Sequence, residues 1–310
     1  MKNRIIVVGS TNMDMVVKTD HIPKPGETVL GGTFLMNPGG KGANQAVAAA
    51  RLGGQVSFIT KIGQDIFGRQ SSKIFNDEGI DVGGLYTDEH NPSGIALITV
   101  DDKGENSIVV APGANACLHE DDVNKAISKI EDGKILLVQL EIEISSVKMA
   151  IERAKERGFT VILNPAPVNK SVIPLLNNVD IITPNIHEAE TLSGQSIQGL
   201  ESAVEAAKKI RELGVKIVII TLGEEGALIC QENDVKHIPA PKVSAMDTTA
   251  AGDVFNGALA VALAEEKGLT EAVNFACRAA AIAVTRMGAQ NSIPYRNEIT
   301  LTYLNESNPL

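Results

Sequence analysis

The 310 residues carry 28 Lys and Arg against 38 Asp and Glu, a formal charge of −10, and 44% of them are apolar. Aromatics make up 3% and Trp is absent, so the core rests on Ala, Val, Ile and Leu and lacks platforms for stacking bases. That field repels phosphate backbones and anionic lipid, which sets nucleic-acid and membrane-surface partners aside and leaves a small ligand, held by local geometry.

Met1-Lys2-Asn3-Arg4 leads into Ile5 to Val8, an apolar run too brief for a signal-peptide core. Closed by Gly9, the run reads as a buried strand. The next stretch, Gly9-Ser10-Thr11-Asn12-Met13-Asp14, lies at the C-terminal end of that strand, where parallel sheets bind ligands. An Asp that accepts from two hydroxyls, beside an Asn that both donates and accepts, suits a polyol; each alone also reads as a turn residue. Thr28 to Met36, flanked by glycines, is a β segment.

Pro38-Gly39-Gly40-Lys41-Gly42-Ala43-Asn44-Gln45-Ala46 looks like a phosphate loop, but Lys41 is not followed by Ser or Thr. The Gly spacing fits neither Walker A nor the dinucleotide fingerprint, so a nucleotide must be held by another device. The stretch is either a close backbone approach to a ligand, with Lys41 and Asn44 supplying donors and an acceptor, or a flexible loop before a helix. Ala43 to Gly53 is that helix, Ala-rich and stopped by Gly, and Val56 to Ile59 is a strand. Ile95 to Val100 and Ser107 to Ala111 flank Asp101-Asp102-Lys103-Gly104 as a hairpin. With Thr28 to Met36 it forms either a small sheet projecting from the main domain or an antiparallel edge on the main sheet.

From Ile135 the alternation is plain: strand Ile135 to Leu140, helix Ser145 to Arg157, strand Thr160 to Leu163, strand Asp180 to Thr183, helix Glu201 to Leu213, strand Lys216 to Leu222. The fold class is α/β, a mostly parallel sheet with helices on both faces, in one compact domain. Glu141 follows the first of these strands at its ligand-binding end. Thr183-Pro184-Asn185-Ile186-His187-Glu188 and Thr221-Leu222-Gly223-Glu224-Glu225-Gly226 are further strand-end loops. Cys117, Cys230 and Cys277, and the five histidines, are scattered without metal or redox spacing, which suits a reduced, cytoplasmic compartment. No stretch approaches the ~18 apolar residues of a membrane span.

Ala245 to Leu263 is the most informative stretch. Val254, Ala258, Leu259 and Ala262 recur at helical spacing, and small residues with Gly252 precede them. The turn delivers the N–H groups of Ala251, Gly252 and Asp253 to a helix N-terminus, which suits a phosphate, with Asp253 at the same point. The alternatives are that Asp253 is a helix cap and Gly252 a packing glycine.

Asn12-Met13-Asp14, the Gly39 to Ala46 stretch, Asn185-x-x-Glu188 and Asp247-Thr248-Thr249-Ala250-Ala251-Gly252-Asp253 together resemble the ribokinase family of sugar kinases. The likeness runs nearly end to end, through Asn164-Pro165-Ala166-Pro167 and the tail Ala283 to Gln290, although Ala250 stands where many members carry Gly. The resemblance implies a three-layer α/β/α domain over residues 1–310. A small β-sheet lid, drawn from about 12–40 and 92–113, would often form a dimer interface. It implies ATP-dependent phosphorylation of the ribose 5-hydroxyl with Mg²⁺. Asp253 would be the general base, and the backbone of Ala250, Ala251, Gly252 and Asp253 an anion hole. Asn12, Met13, Asp14, Gly40, Lys41, Gly42, Asn44 and Glu141, with Asp253, would hold ribose. Asn185, the loop Thr221-Leu222-Gly223-Glu224-Glu225-Gly226, Gly252 and Cys277 would hold the nucleotide, and Glu188 would organise Mg²⁺ through water. A monovalent cation, K⁺, would sit on Asp247, Thr249, Ala283, Arg286, Gly288 and Ser292, largely through carbonyls.

Overall fold

The computed structural model describes residues 3–232 and 234–299. Met1, Lys2, Asn233 and the stretch beyond 299, all inside the expected 1–310 domain, lie outside the described residues. In chain order the elements are β1 (Arg4–Val8), β2 (Asn12–Lys18), β3 (Thr33–Gly39), α1 (Lys41–Arg51), β4 (Val56–Gly63), α2 (Ile66–Asp77) and β5 (Asp81–Asp88). Then follow β6 (Gly94–Val100), β7 (Asn106–Ala111), α3 (Glu120–Ser128), β8 (Gly133–Val138), α4 (Ile144–Glu156), β9 (Thr160–Leu163) and β10 (Ile181–Ile182). The chain closes with α5 (Ile186–Ser193), α6 (Leu200–Glu212), β11 (Ile217–Thr221), β12 (Ala227–Gln231), β13 (Asp234–Ile238), α7 (Ala251–Ala264) and α8 (Leu269–Ala283).

The main sheet runs β13-β12-β11-β10-β9-β8-β1-β4-β5. It is parallel from β5 to β11 and antiparallel only at the β12 and β13 edge. The continuous apolar run of β1 follows from this burial on both faces. Ile5 and Val7 enter the core shared with α1, α7 and α8, while Ile6 and Val8 enter the core shared with α3, α4 and α6. The chain moves from β1 outward to β4 and β5, then returns to β8 on the other side of β1. The crevice at this reversal, outside the C-terminal ends of β1 and β8, is where open parallel sheets bind ligands.

The second sheet, β3-β2-β6-β7, stands apart from the first, so the expected segments form a projecting lid rather than an edge. It is mixed: β2 pairs with β6 in parallel and the other two pairs are antiparallel. Two boundaries are corrected here. The strand-end stretch read up to Asp14 runs on, from Asn12 to Lys18, as a lid strand inside the expected 12–40 span; its burial fades outward from Asn12, so no alternation marks it. The segment expected at Thr28 to Met36 pairs only from Thr33, because Gly31 and Gly32, both with positive φ, turn the chain just before it. The amino-acid sequence read alone leaves α2, β5, α3, α5, β12, β13 and α8 unassigned. The lid exposes Phe34, Met36, Leu97, Ile108, Val109 and Val110.

Candidate functional site

The start of α7 is built by a turn. The Thr248 carbonyl accepts from the Ala251 N–H (3.2 Å), and Ala250 enters the helix in the left-handed region at φ 61°. Of the four amides expected to form an anion hole, that of Ala251 is therefore engaged inside the turn. The N–H groups of Gly252 and Asp253 meet no acceptor among the described residues and remain free for an anion. Both alternatives for this stretch fail. The cap position is Ala250, and a Cβ on Gly252 would meet nothing within 4 Å. Asn256, one turn on, donates to the Gly252 carbonyl (2.8 Å) and accepts from the Thr183 hydroxyl (2.6 Å), which pins the helix start to the sheet.

Asp253 turns inward instead of capping. Its Oδ2 accepts from Asn44 Nδ2 at 2.9 Å and its Oδ1 from Gln45 Nε2 at 3.0 Å. Gln45 also donates to Asn164 Oδ1 and accepts from Gln139 Nε2 at 2.5 Å, a wholly buried amide chain. Burial pushes the Asp253 carboxyl above the usual range, against Lys41 and the two amide donors. Asn44 Oδ1 is buried without a partner, an acceptor that a ligand hydroxyl would satisfy.

The glycine stretch is a packing device rather than a flexible loop, and α1 begins at Lys41 instead of Ala43. Gly40 sits at φ 90°, and a Cβ on Gly42 would fall 2.6 Å from the backbone of Gly9 and Ser10. The first-turn amides of α1 are already engaged: Lys41 N–H with Glu141 Oε2 (3.0 Å) and Ala43 N–H with the Ser10 carbonyl (2.9 Å). A phosphate cradle is thereby removed from this helix. Glu141 Oε2 also accepts from the Ser10 hydroxyl at 2.5 Å, which locks it beside Lys41. Burial pulls the Lys41 ammonium down, but Asp253, Glu141, Glu188 and Asp14 together outweigh it and raise the group.

Burial, then the charges of Glu141 and Asp253, push the Asp14 carboxyl up to about 7, against the pull of Lys41. The fold therefore favours protonated Asp14. Its contribution to stability is complete below the unfolded pKa of 3.8 and is lost as pH rises through about 7. Asp14→Asn, neutral throughout, is expected to melt above the parent at about pH 8, with the gap narrowing as pH falls toward ~4. Thermal melts across that range check this; a variant less stable than the parent at about pH 8 overturns it.

On the other side of the crevice, Asn185 caps α5 and is bridged to Thr221 at the end of β11. Its Oδ1 accepts from the Glu188 N–H (2.8 Å), and Glu188 Oε2 accepts from the Asn185 N–H (2.9 Å). Burial raises the Glu188 carboxyl, against that amide donor and Lys41. Beyond Thr221, Leu222 N–H bonds to the Gly226 carbonyl (2.8 Å), closing the loop over exposed Glu224 and Glu225. Gly223 and Gly226 both take positive φ in that loop. Cys277 packs in the apolar core of α7 and α8, where burial pushes its thiol up to about 12.

Asp247 joins the two loops expected to hold a cation: Oδ1 accepts from Thr249 N–H (2.9 Å) and Oδ2 from Gly288 N–H (2.8 Å). The Ala283 carbonyl accepts from the Arg286 N–H (3.0 Å), the Arg286 guanidinium pairs with Glu298, and Ser292 is fully buried with its hydroxyl on the Ala289 carbonyl. The amino-acid sequence alone singles out neither Gln45, Gln139 and Asn256 nor Asn115 as site residues. Gln45 lies inside the glycine-stretch motif and Asn256 inside the Ala245 to Leu263 stretch, whereas nothing local marks Gln139 or Asn115. One groove, of about 790 Å³, is lined by none of these residues. It is lined by Gln231, Lys236, Leu269 and Phe275. Gln231 pairs with Ile217 at the opposite, N-terminal end of β11.

No helix among the described residues is long and apolar enough to cross a membrane. The profile of the pfkB family carbohydrate kinases matches residues 2–296. The chain is 45% identical over 304 residues to the ribokinase of Haemophilus influenzae, covering 98% of this chain and 99% of that one. It is 35% identical to the deoxyribokinase of Salmonella typhi, covering 94% and 95%. Among solved structures, the ribokinase of Arabidopsis thaliana complexed with ribose and ATP superposes with a TM-score of 0.89 at 31% identity, covering 97% of this chain and 98% of that one.

Proposed function

The chain belongs to the pfkB family of carbohydrate kinases, and from that premise we propose that it transfers the γ-phosphoryl group of ATP to the 5-hydroxyl of D-ribose. The observation that carries the reading is the buried Asp253 carboxylate. It sits between an unpartnered sugar-side acceptor, Asn44 Oδ1, and the free amides at the start of α7. Asn12, Asp14, Lys41, Asn44 and Glu141 hold the sugar. Asp253 takes the hydroxyl proton as the oxygen attacks phosphorus; the new O–P bond forms, the bond to the β-phosphate oxygen breaks, and ADP leaves. The amides of Gly252 and Asp253 face the charge that develops, each such donor being worth about 2.7–4 kcal/mol.

Asn185 and the Thr221 to Gly226 loop border the nucleotide. Glu188 fits a hydrated Mg²⁺, since one carboxylate oxygen holds Asn185 and the other is left for a water. When bound, that ion neutralises charge on the phosphates. The two loops tied together by the Asp247 carboxylate would hold a monovalent cation, K⁺, which would keep the α7 turn in shape. The apolar face of the lid serves as the interface of a homodimer, and the free cysteines Cys117, Cys230 and Cys277 suit the reducing cytoplasm.

A panel of D-ribose, 2-deoxyribose, arabinose, fructose and adenosine with ATP, run in KCl and in choline chloride at equal ionic strength, tests the assignment. Ribose is expected to lead in kcat/KM, because each missing or inverted hydroxyl strands a buried polar group at about 1–3 kcal/mol. The KCl arm is expected to be faster. Fructose or adenosine ahead by about tenfold would sink ribose while leaving a sugar kinase. Equal rates in both salts would remove the cation.

A further inference from the structure

We propose that Asn115 is a specificity-determining positioning residue: it commits Asn12 to meet the sugar as a hydrogen-bond donor. The proposal rests on the sugar-kinase reading of the crevice. Asn115 lies in the short turn Gly113–Cys117, where the chain leaves the lid after β7, and is 1% exposed. Its Oδ1 accepts from the Thr11 backbone N–H (2.8 Å), and its Nδ2 donates to the Thr11 carbonyl (3.1 Å). A peptide N–H only donates and a carbonyl only accepts, so Thr11 allows one orientation of the Asn115 amide. The Nδ2 of that oriented amide also donates to Asn12 Oδ1 at 2.8 Å. The oxygen of Asn12 is thereby engaged, and its Nδ2, with no acceptor among the described residues, is the atom left for a ligand.

The surroundings are built for this pair. A Cβ on Gly94, the first residue of β6, would fall 2.2 Å from both Asn115 Nδ2 and Asn12 Oδ1. Gly113 takes φ 51°, with a Cβ position 2.2 Å from the Pro92 carbonyl. Thr11 is tied in turn to β4 through its hydroxyl and that of Thr60 (2.9 Å). Three roots of the lid, at Thr11 and Asn12, at Gly94 and at Gly113, thus converge on one amide. The hydroxyl facing Asn12 is held as an acceptor and keeps its own proton free to donate elsewhere. A sugar that lacks or inverts that hydroxyl leaves the Asn12 donor stranded.

Asn115→Asp keeps the acceptor for Thr11 N–H but removes the donor, so Asn12 turns its Nδ2 inward and shows the sugar an oxygen. On the best sugar of the parent, KM is expected to rise about tenfold or more, with kcat within a few-fold and KM for ATP within about twofold. The ribose to 2-deoxyribose preference should flatten. Adding Asn115→Asp to Asn12→Ala should raise the sugar KM no further, whereas a purely structural role would give additive losses. Asn115→Ala, which removes the donor without adding a charge, is read in the same way if the Asp variant does not fold. An unchanged sugar KM, or additivity with Asn12→Ala, overturns the proposal. A parent inactive on every sugar of the panel sinks the functional reading instead.

Discussion

Asp253→Asn is expected to bind sugar within a few-fold of the parent and to turn over at least ~10² times more slowly. The substitution is isosteric, so the packing of α7 against α1 and the sheet is kept. A side-chain amide at this position cannot take a proton from a hydroxyl, and this is the property under test. The parent carboxylate is aimed by Asn44 Nδ2 at 2.9 Å and Gln45 Nε2 at 3.0 Å, two neutral donors that leave lone pairs toward the crevice. Of the residues that hold the sugar, Asn12, Asp14, Lys41 and Glu141 make no hydrogen bond to Asp253; Asn44 alone bonds to it, which is why a few-fold loss of affinity is allowed. Steady-state kinetics with direct sugar binding separate the two effects. A variant that keeps a tenth of the parent kcat removes Asp253 from the role of base.

Gly252→Val is expected to keep the melting temperature within about 2 °C and to lower kcat/KM for ATP by ~10²–10³. The two halves of this expectation come from one observation: a Cβ on Gly252 meets nothing within 4 Å, so the fold has room for a side chain. Gly252 also lies in ordinary helical backbone, and Val is no worse than Gly there. The room belongs to the ligand, because the Gly252 and Asp253 amides open into it. Gly42 is the contrasting case. There a Cβ would press on the backbone of Gly9 and Ser10 at 2.6 Å, so a substitution tests folding rather than chemistry. Unchanged kinetics in a folded Gly252→Val would move the phosphate site away from α7.

Much of this site is legible in the order of residues along the chain. Gly9 to Asp14, Glu141, Asn185 to Glu188 and Thr221 to Gly226 all follow strand ends, and in a parallel sheet strand ends meet at one edge. Asp253 is legible because a carboxylate in the first turn of a mostly apolar helix is costly to bury unless something holds it. Gln139 shows where such legibility stops: it lies two residues before Glu141 in the chain, yet only the fold puts its amide on Gln45.

The amino-acid sequence by itself determined the α/β alternation, the strand ends and the glycine turns, because these arise from local periodicity and from the steric freedom of single residues. Only the tertiary structure decided which donors and acceptors remained for a ligand. The Ala251 amide is taken by Thr248, the Lys41 amide by Glu141, and the Asn12 oxygen by Asn115, the last two pairings spanning 100 and 103 residues of chain. A hydrogen bond is set by proximity in space, and no repeat or spacing along the chain records that Asn115, in the turn after the lid, will meet Asn12 at its root.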